Sequence, residues 1–282
     1  MLENIKDYFR PSKFNDAIKI LKTGKGKYSI LAGGTSIIQY PNPKIEGLVS
    51  LRDLKLDYIK KNKDSIKIGA MTRISELLEN KVIKEFAKGL IYKACDKIGS
   101  TLNRNLITVG GNIVQTYKWS DLPVALLVLD TKLKISGNGT KKIPIEKFFI
   151  KHPKILLKNY EILTEIEIKE PKGNYGTDFI KFSYTNVDHC LVDVAVYVEV
   201  EKDKFKNIKI AFGGIMPLPF RAYSIEKKLK NHPTDSILVN RILDEEVKKI
   251  NIGEDFRTTK DYKRHLLKVL TYDAIANAIS AI

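Results

Sequence analysis

The chain has 282 residues, and 43% of them are hydrophobic, too many for a disordered polymer and enough for packed domains. No apolar run approaches the roughly 20 residues of a membrane helix, and the N-terminus lacks a signal-peptide stretch, so the expected compartment is the cytoplasm with no membrane span. The net charge of +16 is mostly lysine, spread over the whole length without an arginine-rich arm, which argues against a nucleic-acid partner and suits an acidic protein or an anionic cofactor.

Taken in chain order, Phe14 opens a helix whose buried face is Ala17, Ile18 and Leu21, and Gly24 and Gly26 end it. Tyr28-Ser29-Ile30-Leu31 reads as a buried strand running into Gly33-Gly34. Short strands are expected at 48–51 and 64–69, and a helix over 74–90 with Leu77, Leu78, Val82 and Phe86 inside. An apolar helix follows at 122–129, a strand at 132–136 closed by Gly137-Asn138-Gly139, and a strand at 161–168. Residues 171–176 have the composition of a linker. Strands at 177–182, 193–200 and 205–212 lead to a helical last third. The pattern is α+β.

Two segments carry chemistry. In Ala32-Gly33-Gly34-Thr35-Ser36, a strand runs into two glycines and two hydroxyl residues. Glycines free the backbone to aim successive N–H groups at one anion, and Thr35 and Ser36 add donors. The second segment is Thr108-Val109-Gly110-Gly111-Asn112, in which Asn112 either shapes the loop or contacts a ligand. Neither is a Walker or a Rossmann motif. Each alone is more often an ordinary turn; together they suit a ligand with two phosphates. Asp121 reads either as part of a helix cap or as a carboxylate accepting from a ribose hydroxyl. Cys95 and Cys190 lack CxxC partners and the histidines are scattered, so no metal ligand set and no catalytic residue are expected on this chain.

The ordered landmarks resemble the FAD-binding (medium) subunit of the molybdenum hydroxylases, the group of carbon monoxide dehydrogenase and xanthine dehydrogenase. They run Leu31-Ala32-Gly33-Gly34-Thr35, Ile68-Gly69-Ala70-Met71-Thr72, Ile98-Gly99, Arg104-Asn105, Thr108-Val109-Gly110-Gly111-Asn112-Ile113 and Asp121-Leu122-Pro123. Further on come Glu161-Ile162-Leu163-Thr164-Glu165-Ile166, Lys181, Gly213-Gly214-Ile215-Met216-Pro217 with Arg221-Ala222, and Asp255-Phe256-Arg257 with Tyr262-Lys263-Arg264-His265-Leu266.

The resemblance implies a two-part FAD-binding domain of the vanillyl-alcohol-oxidase/MurB type over 1–172, with sub-parts of about 1–55 and 56–172. A small α+β C-terminal domain follows over 177–282. It also implies that Ala32, Gly33, Gly34, Thr35 and Ser36 wrap the FAD pyrophosphate, completed by Thr108, Gly110, Gly111 and Asn112, with Leu31 also among the cofactor-binding residues. Asp121 would hold the adenosine ribose, and Ile98, Leu163 and Lys181 would contact the cofactor.

The implied function is electron transfer from [2Fe–2S] centres on a small partner subunit, through FAD, to NAD, a quinone or oxygen. A large partner carries the molybdenum cofactor, in a dimer of heterotrimers. The alternatives are a stand-alone flavin oxidoreductase of the same fold and a flavin-less assembly protein. Two departures stand out. Thr116-Tyr117-Lys118-Trp119 replaces a smaller segment, and Ser183-Tyr184-Thr185-Asn186 stands where an arginine pair is usual. Bulky aromatics at the first could shield the flavin from its oxidant.

Overall fold

Glycine turns and polar breaks cut the chain into short elements, which gather into two units in a computed structural model describing residues 3–282. The units are interleaved along the chain. The first takes the chain up to Leu77, then Ser100–Gln115 and Lys132–Ile168; the second takes Leu78–Gly99, Thr116–Thr131 and Lys169–Ile282.

The first unit holds two sheets. Asp7–Phe9, Gly47–Ser50 and Tyr28–Leu31 form a three-stranded parallel sheet with Gly47–Ser50 in the middle. The Phe14–Thr23 helix buries Ala17, Ile18 and Leu21 in a cluster with Val49 and Leu51, as its apolar spacing requires. The second sheet has five strands, in the order Ile59–Lys61, Ser65–Gly69, Ile162–Lys169, Lys132–Ser136 and Thr140–Pro144. The turn at 137–139 joins the last two of these as an antiparallel hairpin.

In the second unit, Phe220–Arg221, Lys204–Gly213, Val192–Glu201 and Tyr175–Phe182 form an antiparallel sheet in that order. The long Lys260–Ser280 helix packs along the last two strands. The Asp121–Val128 helix lies against Val192–Glu201 and Lys204–Gly213, and every one of its residues is buried. A helix apolar all round has no face to give to water, so it becomes core.

The helix expected over 74–90 is broken. It consists of Ile74–Glu79, Lys81–Glu85 and the short 3-10 turn Phe86–Gly89, followed by Leu90–Asp96. Asn80 restarts the helix by accepting from the N–H groups of Val82 and Ile83. Ala87, Lys88 and Gly89 then take left-handed backbone angles, which end the helical path. As a result Ile83, not Val82, is the buried residue of that stretch.

Candidate functional site

The first unit contains both glycine segments and brings them side by side. After the strand Tyr28–Leu31 the chain turns at Gly33-Gly34 into the short Thr35–Gln39 helix, with Gly34 as its N-cap at a φ of 79°. A Cβ on Gly33 would stand 1.8 Å from the carbonyl oxygen of Leu106, just ahead of the second segment. Only glycine permits that approach. The N-cap has no side chain and therefore contributes no side-chain acceptor to the first turn of this helix.

The second segment is the start of a helix, Val109–Gln115, rather than an open loop. Its leading N–H groups are already taken. Val109 donates to the Thr72 carbonyl at 2.9 Å, Gly110 to the Ala70 carbonyl at 2.8 Å, and Gly111 to the Thr108 hydroxyl at 3.1 Å. These bonds lock the segment to the chain leaving the Ser65–Gly69 strand. Ala70 in turn donates to the Thr164 carbonyl, beside buried Leu163. Asn112 is different: its side-chain oxygen is buried without a partner. A native acceptor left so is a place to look for a ligand donor.

Ile98, Asp121 and Lys181 lie in the second unit. Ser120 is the N-cap of the Asp121–Val128 helix, yet its side chain does not cap it; it accepts instead from the N–H of Tyr117. Asp121 is the first helical residue, and its carboxylate accepts from Lys181 at 3.2 Å. The ammonium of Lys181 also donates to the Lys97 carbonyl at 2.7 Å, next to buried Ile98. Both members of this ion pair are almost wholly buried.

Two residues that the sequence did not single out join them. Asp193 faces Lys181 across the antiparallel pair and is fully buried, and Cys190 is buried beside it. Burial, then the neighbouring Asp193 charge, pushes the Asp121 carboxyl well above its usual range, against the pull of Lys181. Burial raises Asp193 as well, and it raises the Cys190 thiol, helped by both carboxylates. The available signal was a charge inside the apolar run Leu191-Val192-Asp193-Val194.

The unusual Tyr117-Lys118-Trp119 segment is built into this unit. Trp119 stacks between Tyr117, at 5.2 Å between ring centroids, and His189, at 4.3 Å. Lys118, Arg257 and Lys263 all donate to Asp255, at 3.0, 3.0 and 2.7 Å. Burial alone would raise the Asp255 carboxyl, but those donors outweigh it and hold it far below the usual range. Its contribution to stability is therefore present above the ordinary carboxyl range and lost in strong acid. Asp255→Asn strands the fully buried Lys263 ammonium, and the expected cost is about 3 kcal/mol in a urea titration at neutral pH. An unchanged midpoint would show that the three cations find other partners.

A model of the FAD binding domain in molybdopterin dehydrogenase matches residues 3–171, and one of the CO dehydrogenase flavoprotein C-terminal domain matches 179–278. With the glycine turns they match, these define an FAD-binding oxidoreductase subunit. The chain belongs to the flavoprotein family of the molybdopterin dehydrogenases, also called molybdenum hydroxylases.

It is 31% identical over 273 residues to the glyceraldehyde dehydrogenase medium chain of Sulfolobus acidocaldarius, covering 95% of this chain and 96% of that one. It is 26% identical to the xanthine dehydrogenase FAD-binding subunit of Escherichia coli O157:H7, covering 97% and 96%. The fold matches carbon monoxide dehydrogenase from Hydrogenophaga pseudoflava with a TM-score of 0.92, at 23% identity and 98% coverage of both chains. Among the described residues no helix is long and apolar enough to cross a membrane.

Proposed function

We propose that this chain is the FAD-carrying electron-transfer subunit of a molybdenum-containing hydroxylase. The observation that carries the reading is the contact of Gly33 with the Leu106 backbone, which sets the two Gly-Gly segments together within one unit. In this reading Ala32 to Ser36 cradle the pyrophosphate with backbone N–H groups and the Thr35 and Ser36 hydroxyls, and Leu31 flanks the cofactor. Gly110 serves as a spacer whose N–H holds Ala70. Thr108 shapes the turn through its bond to Gly111, and Asn112 offers its unpaired oxygen to a cofactor donor.

The residues present suit a dinucleotide. A Cβ-free turn, an orphaned acceptor and a strongly basic chain all suit a ligand with two phosphates and several hydroxyls. In the second unit Asp121 is the proposed ribose acceptor, with Lys181 as its ion-pair partner and Ile98 as apolar neighbour; Leu163 is the matching apolar contact in the first.

FAD, when bound, supplies the redox chemistry, taking electrons from [2Fe–2S] centres on a partner subunit and giving them to NAD, a quinone or oxygen. The chain supplies binding, orientation and charge. The partners in this reading are a large molybdenum-cofactor subunit and a small [2Fe–2S] subunit, assembled as a dimer of heterotrimers. Support comes from relatives named as medium chains and FAD-binding subunits. Affinity purification of the native chain should recover two further subunits, with molybdenum and iron in the eluate. Recovery of a lone flavoprotein with its own substrate turnover would favour the stand-alone oxidoreductase instead.

A further inference from the structure

We propose that Asp121, Cys190 and Asp193 form a binding site for one thiophilic divalent cation, with Zn2+ the best match. A carboxylate oxygen, a sulfur and a second carboxylate oxygen lie within 4.8 Å of one another, and all three residues are buried. Proximity alone would be only a cluster of acids. The second observation is Asp193 itself, fully buried, with no donor from outside the cluster reaching either carboxylate oxygen; its polar neighbours are the Cys190 thiol and the Asp121 carboxyl. One Asp121 oxygen is orphaned too, while the other accepts from Lys181. A buried carboxylate in that state requires a proton or a cation.

Donor count and charge both point to the cation. Asp193 can chelate through both oxygens, so with one Asp121 oxygen and the Cys190 sulfur three residues supply four donor atoms. Four is the number zinc takes in a closed site, and no water is needed. The sulfur selects against Mg2+ and Ca2+, which prefer all-oxygen shells. Two carboxylates and a thiolate balance Zn2+ and the Lys181 ammonium, leaving a buried cluster with no net charge. Without the ion, the same neutrality requires protons on the thiol and on one carboxyl, and these are what the ion displaces.

The ion would tie the start of the Asp121–Val128 helix to the Val192–Glu201 strand. The proposal is independent of the flavin reading, because an ionised carboxylate has lone pairs for a cation, Lys181 and a ribose hydroxyl together.

The test takes the full chain, stripped with chelator, through equilibrium dialysis against Zn2+ and titration with Co2+ as a coloured substitute. About one Zn2+ per chain is expected, with a thiolate-to-cobalt charge-transfer band and release of about two protons per ion. Cys190→Ser should abolish the band, Asp193→Asn should weaken binding at least about tenfold, and Cys95→Ser should change neither. No bound ion, binding without the band, or a band that survives Cys190→Ser overturns the proposal. If Cys190→Ser fails to fold, Cys95→Ser decides, since it leaves Cys190 as the sole thiol. FAD content measured on the same samples keeps this outcome separate from that of the flavin reading.

Discussion

Glutamate at Gly111 will leave the fold intact and abolish FAD retention, whereas alanine at Gly33 will disrupt the first unit itself. The two glycines belong to neighbouring segments but face different surroundings. A Cβ on Gly33 meets the Leu106 carbonyl at 1.8 Å, and that atom belongs to backbone that cannot swing aside. The expected loss for Gly33→Ala is at least about 3 kcal/mol, at the upper end of overpacking costs. Flavin would go with the fold, so this variant alone says little about the cofactor.

Gly111 is the informative position. A Cβ there meets no backbone and only one side-chain atom, the Thr108 hydroxyl at 2.9 Å, which must give by a few tenths of an ångström. Glutamate is also a better helix former than glycine, by roughly 0.5 kcal/mol, and an acidic residue suits a helix N-terminus. Stability should therefore stay within about 1 kcal/mol of the parent. The new carboxylate would occupy the proposed phosphate space, and FAD affinity should fall at least about 100-fold, the loss of roughly 2.7 kcal/mol. A folded Gly111→Glu chain that keeps its flavin would place the pyrophosphate elsewhere.

The second large effect concerns the buried acids. Asp121 and Asp193 share one ammonium, Lys181, and both carboxyls are raised above their usual range, chiefly by burial. A raised carboxyl means that the folded state holds a proton the unfolded chain has released. Stability from this source is complete below the ordinary carboxyl range and is lost as pH rises through the raised values. In chelator, metal-free wild-type protein should lose stability steadily as pH rises across that window, read as a falling urea midpoint. Asp193→Asn leaves Asp121 and Lys181 as a matched pair and removes the need for a proton. Its stability should be flatter with pH and higher than wild type in neutral solution. The Cys190 thiol, pushed up by burial, stays protonated there and does not blur the comparison. An identical slope in the variant would remove Asp193 from the proton balance.

Much of the fold could be read locally. The Gly33-Gly34 turn, the hairpin at 137–139 and the all-apolar helix after Pro123 follow from turn chemistry and periodicity over a few residues. The break at Asn80 is not legible in the sequence, because apolar spacing continues through it while the capping bonds do not show in a hydrophobic pattern. The second glycine segment was legible as special but not as helical. Its N–H groups are spent on Ala70, Thr72 and Thr108, and two of those three lie well back in the chain. The Asp121, Lys181, Cys190 and Asp193 cluster was least legible. Its members come from a helix, two strands and the segment before one of them, and only strand register sets Asp193 opposite Lys181. Cysteine spacing gave no metal signal because the sulfur here would act with carboxylates and not with a second cysteine.

In the proposed function this chain carries FAD between its partners' iron–sulfur centres and an external acceptor. The most direct measurement is the flavin content of the native complex, released by denaturation and quantified by absorbance against the amount of this chain. About one FAD per chain is expected. A native, intact complex without FAD would exclude a flavin-carrying role for this chain.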